Sequence, residues 1–87
     1  MCKNEKVISC EISYLPLEGH TNDQVDAILV VIESSGLDYE IGSYRTVVRG
    51  SRAEVMALIN ALYEKGDSLG NFVMDVRLSN ACGCSID

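Results

Sequence analysis

From Val7 to Leu15 the chain alternates, with Ile8, Cys10, Ile12 and Tyr14 on one side and Ser9, Glu11 and Ser13 on the other. A period of two over this length predicts a strand with one buried face. Pro16 ends its ladder, having no N–H to donate. The period then lengthens. Val25, Ile28, Leu29 and Ile32 recur at i, i+3, i+4 and i+7, the spacing of one helical face. Thr21-Asn22-Asp23-Gln24 ahead of them has the form of a capping box. Gly36 closes this helix, because glycine enters the left-handed conformation without a Cβ clash.

The next two apolar stretches, Asp38-Tyr39-Glu40-Ile41 and Arg45-Thr46-Val47-Val48-Arg49, flank Gly42-Ser43 and predict a β-hairpin with a type II′ turn. Gly50 breaks the hairpin, and Ser51-Arg52-Ala53-Glu54 forms a second capping box. Behind it Val55, Leu58, Ile59 and Leu62 line a second helical face that ends at Gly66. After Asp67-Ser68-Leu69-Gly70 a last strand alternates, Phe72, Met74, Val76 and Leu78 against Val73, Asp75 and Arg77.

The order β-α-β-β-α-β comprises two similar halves of about forty residues, and short right-handed connections leave few ways to close it. The economical one is a ferredoxin-like α+β sandwich. It has a four-stranded antiparallel sheet, the first strand central beside the fourth, and both helices on one face. The other face is then bare, and its expected members are Ser9, Glu11, Ser13, Thr46, Val48, Val73, Asp75 and Arg77. A sheet face carrying several apolar residues usually meets a second sheet, so at least a homodimer is expected through it.

Composition narrows the partners. Eighty-seven residues make one domain, 1–87. A net charge of −6 without a basic stripe opposes binding to nucleic acid and suits a neutral or cationic small ligand. No apolar run is long enough for a membrane span. Met1-Cys2-Lys3-Asn4-Glu5-Lys6 is too polar for a signal peptide, so a soluble, cytoplasmic protein is expected.

Four cysteines invite a metal reading, but Cys2-x7-Cys10 and Cys82-x-Cys84 lack zinc spacing and His20 is far from both. Cys10 reads as a small core hydrophobe. Pairing of the terminal strands would bring Cys2 near Cys82 or Cys84, either as free thiols or as a reversible disulfide. His20 has no nucleophile or orienting partner in the pattern, and no catalytic residue, metal or cofactor is assigned. What remains is the polar set of the bare face, which is either a solvated or dimer-bridging surface or a pocket for a heterocycle.

Two segments carry a resemblance. Ile12-Ser13-Tyr14-Leu15-Pro16-Leu17 resembles the Ser-Leu-Tyr-Pro-Met/Leu stretch of the YkoF family, the thiamine/hydroxymethylpyrimidine-binding proteins, and Thr46-Val47-Val48-Arg49-Gly50-Ser51 resembles its Thr-Val-Leu-Arg-Gly-Ser. Phe72-Val73-Met74-Asp75 and Leu78-Ser79-Asn80-Ala81-Cys82 are similar to its last strand and the cysteine after it. The resemblance implies a ferredoxin-like repeat whose sheets pack face to face, a one-repeat chain reaching that arrangement as a dimer or tetramer. It implies that Thr46 matches the threonine of the family's binding strand and Ser13 the serine before its aromatic-Pro, and that Asp75 stands where a polar residue is usual. Two positions differ: Tyr14-Leu15 inverts the family's Leu-Tyr order, and Arg45 replaces a small residue.

The reading is therefore a non-catalytic module that binds thiamine or its hydroxymethylpyrimidine at the open sheet face of a homo-oligomer. Its expected site residues are Thr46, Ser13, Asp75, Glu11 and Tyr14. The alternative is a structural or regulatory oligomerisation domain without ligand.

Overall fold

Strand pairing assembles the sheet from the centre outward. The computed structural model of the chain describes residues 7–81. Its elements run β1 (Val7–Pro16), α1 (Thr21–Ser34), β2 (Asp38–Ile41), β3 (Thr46–Ser51), α2 (Arg52–Leu69) and β4 (Phe72–Ser79). The sheet order is β2-β3-β1-β4 and every pair is antiparallel. This is the ferredoxin-like α+β sandwich that the periodicity predicts. The expected proximity of Cys2 to Cys82 or Cys84 lies outside the described residues.

The core is one cluster in which Ile8, Cys10 and Ile12 of β1 and Val48 of β3 meet Ile28 and Ile32 of α1 and Val55, Leu58 and Leu62 of α2. All but Val48 are positions that alternation or helical spacing places inward, and burying one such aliphatic side chain stabilises the fold by about 1.5–3 kcal/mol. Both helices thus cover the same side. Coverage fails at the edges: Val76 and Leu78 face the helical side of β4, yet stay 37% and 46% exposed. The helices pack chiefly on the central strands, α1 on β1 and α2 on β1 and β3, and leave the end of this edge strand bare.

Four local expectations need correction. Thr46 pairs with Ile12 and Val48 with Cys10, and partners across an antiparallel ladder share a face, so both point at the helices rather than the open side. Thr46 is 7% exposed and Val48 fully buried. Valines at both 47 and 48 leave the alternation mute, and register against β1 decides the face. The open side takes Val47 and Arg49 instead.

The hairpin loop is four residues, not two. Ile41 pairs with Thr46, the Gly42 N–H donates to the Arg45 carbonyl at 2.9 Å, and Gly42 is not among the positive-φ glycines that a II′ turn requires.

Neither Gly50 nor Gly66 is a breaker. Gly50 continues β3 opposite Ile8, and Gly66 lies inside α2, which runs on to Leu69 and stops before Gly70 at φ +143°. Close approach is what both glycines provide. A Cβ at position 50 would lie 2.8 Å from Leu37 Cδ2, and one at 66 would lie 2.9 Å from Phe72 Cε1.

The first capping box does not form, whereas the second does. Helix α1 begins at Thr21 behind His20 without a side-chain cap, because the Gln24 carboxamide turns inward and donates to the Glu18 carbonyl at 2.8 Å. Ser51 Oγ accepts from the Glu54 N–H at 3.2 Å while Glu54 Oε1 accepts from the Ser51 N–H at 3.1 Å.

Candidate functional site

The β1–β4 ladder builds the floor of the open side. Ser13 stands opposite Asp75 and Glu11 opposite Arg77, all four pointing away from the helices. The loop 42–45 rises beside them and carries Tyr44 and Arg45. Together they line a concavity of about 410 Å³, within the range of small-molecule sites. It has the polar groups of such a site but few apolar ones.

The charges in this concavity are unevenly matched. Arg45 Nη1 donates to Glu11 Oε1 at 2.6 Å, a short charge-assisted bond. Ser13 Oγ donates to the Tyr44 carbonyl at 3.3 Å, which leaves its own lone pairs free to accept. Among the described residues, Asp75 and Arg77 have no ion-pair partner.

The other two expected residues lie on the opposite side of the sheet. Tyr14 and Thr46 line a second hollow of about 240 Å³ between α1 and the same loop, with Val25, Ile28 and Leu29. The Tyr14 ring packs on Phe72, with ring centroids 5.2 Å apart, and its hydroxyl is buried without a partner among the described residues. Burial pushes the Tyr14 phenol up from its ordinary value. Earlier in β1, burial and then the charge of Glu11 push the Cys10 thiol up to about 11, which fits an inert core residue.

The sheet therefore splits the expected set, Glu11, Ser13 and Asp75 on the open side and Tyr14 and Thr46 on the helical side. Sequence reasoning missed Tyr44. It is 88% exposed and lines both hollows. An aromatic inside a turn that needs only Gly and Ser was the available signal. A third concavity, an apolar groove between α1 and α2, has few converging polar groups and none of the expected residues. Among the described residues no group of three or more His, Cys, Asp or Glu could hold a metal, and no helix is long and apolar enough to cross a membrane.

The profile of a family described as thiamine-binding protein matches residues 10–77, most of the chain and nearly all of the sheet and helices. The chain belongs to this family. No curated protein matches it by sequence.

Solved structures agree on the fold. A candidate thiamine biosynthesis/salvage protein from Thermotoga maritima superposes with a TM-score of 0.80 at 21% identity, over 93% of this chain and 89% of its own. A domain of unknown function from Bacillus cereus gives 0.80 at 15% identity, over 94% and 83% of the two chains. A protein from Methanocaldococcus jannascii gives 0.76 at 18%, over 86% and 80%.

Proposed function

We propose that this member of the thiamine-binding family binds thiamine or its hydroxymethylpyrimidine moiety, without catalysis, in the open-face concavity. The observation that carries the reading is the convergence of Ser13 and Asp75 on adjacent strands of that face, in a chain whose family match spans both. Asp75 can accept from the exocyclic amine of an aminopyrimidine, and Ser13 Oγ, whose proton goes to the Tyr44 carbonyl, can accept from the second N–H of that amine. The partner sheet of a homodimer supplies the apolar wall that this face lacks. Val73 and Leu15, paired across β1–β4 and both exposed, would meet it. The Thermotoga maritima relative's connection with thiamine supports the ligand class.

Calorimetric titration with thiamine and with hydroxymethylpyrimidine tests the reading. Binding should weaken about ten-fold in Asp75→Asn, which keeps the shape of the side chain but loses its charge. Failure of both ligands to bind the wild-type chain would favour a structural oligomerisation domain.

A further inference from the structure

The open-face concavity holds one more charge than an aminopyrimidine or a thiazolium cation can use. Glu11 lies between two guanidinium groups, Arg77 directly across the β1–β4 ladder and Arg45 at the end of the loop. It binds Arg45, at 2.6 Å. Arg77 is left in the lining without an ion-pair partner among the described residues, two positions from an equally unpaired Asp75.

Two strand positions on one face lie about 6.5–7 Å apart at ~3.3 Å per residue. The concavity therefore offers a carboxylate and a guanidinium at a spacing that one small molecule can bridge. For a simple cation Arg77 would be a liability, since the lining has two acids and two arginines and no net attraction. A ligand with an amine or cation at one end and an anion at the other would use both groups.

We propose that the concavity takes the phosphate monoester of its ligand in preference to the free alcohol, with Arg77 as the residue that reads the anion. The inference rests on the proposed thiamine-type binding at this site. A phosphate monoester carries nearly two negative charges near pH 7, and a guanidinium can meet two of its oxygens with parallel N–H donors. Lysine would supply the charge without the fork. The chain's net charge of −6 disfavours a bare anion, so recognition needs the amine contact at Asp75 as well.

The test is calorimetric titration of the full chain with thiamine and with thiamine monophosphate at low ionic strength, reading the ratio of the two affinities. The monophosphate should bind about ten-fold tighter. Arg77→Gln should bring the ratio close to one, and Arg77→Lys should leave it in between. Equal affinities in the wild-type chain would overturn the inference and leave the thiamine-binding reading intact. A preference that survives Arg77→Gln would overturn the role of Arg77. Absence of binding by either compound would overturn both readings. If Arg77→Gln instead weakens self-association in sedimentation and the ratio is unchanged, Arg77 belongs to an interface between copies, which also overturns the proposal.

Discussion

Ile12 and Glu11 are neighbours in β1 with opposite surroundings. Ile12 is almost wholly covered by the helical layer, whereas Glu11 stands on the other side in an ion pair with Arg45. The same contrast runs down the strand. On the helical side the side chains are aliphatic and packed, and their contribution scales with the area removed from water. On the open side they are charged or hydroxylic and partly wet, and pairwise attractions there are weakened by solvent. The first face holds the fold together and can be altered only at a cost in stability. The second contributes little to the stability of a single chain, and this leaves its residues free to be chosen for a ligand or a partner sheet.

Substitutions on the two faces should separate these roles. The largest effect is expected for Leu62→Ala in the fully buried centre of α2, which should lower unfolding free energy by about 3 kcal/mol in urea titration. A loss below about 1 kcal/mol would mean that this side is less tightly packed than its burial indicates.

A second effect follows from Cys10. Its thiol is held up to about 11 by burial and by Glu11, against an ordinary value of 9.0. The folded chain therefore keeps a proton that the unfolded chain gives up first. Stability from this group is complete below pH 9 and declines as pH rises toward 11. Tyr14, also raised by burial, acts in the same direction at higher pH. Cys10→Ala should flatten the decline between pH 9 and 11 in denaturant titrations, and an unchanged slope would assign the alkaline loss to other groups.

Glu11→Gln should matter less. The exposed Glu11–Arg45 pair is expected to contribute only about 0.2–1 kcal/mol, most of it lost in high salt. A larger and salt-resistant loss would place the pair in a desolvated interface between copies.

The smallest effect separates the two hollows. Thr46→Val keeps the shape and the strand preference but removes a hydroxyl from the helical side. Thiamine affinity should change by less than about two-fold, because such a polar contact is worth roughly ten-fold only where the ligand touches it. A ten-fold loss would move the ligand from the open face to the hollow lined by Thr46 and Tyr14.

Periodicity and local capping motifs determined the element order, the inward faces of both helices and the second capping box. These follow from spacing of 2 or 3.6 residues and from short-range hydrogen bonds, which depend on neighbours in the chain. The sorting of β1 and β4 between the faces was legible for the same reason, and with it Glu11, Ser13 and Asp75 on the open side.

Only the tertiary structure decided the face of β3, because Val47 and Val48 suit either side and pairing with Cys10 and Ile12 settles the choice. It also decided that Gly50 and Gly66 are places of close approach rather than breaks, since the atoms they admit, Leu37 Cδ2 from the α1–β2 connection and Phe72 Cε1 from β4, come from outside the glycines' own elements. The pairing of Glu11 with Arg45, 34 positions away, is likewise a product of the folded sheet and loop. Which charges were left over for a ligand could not be read before that partner was known.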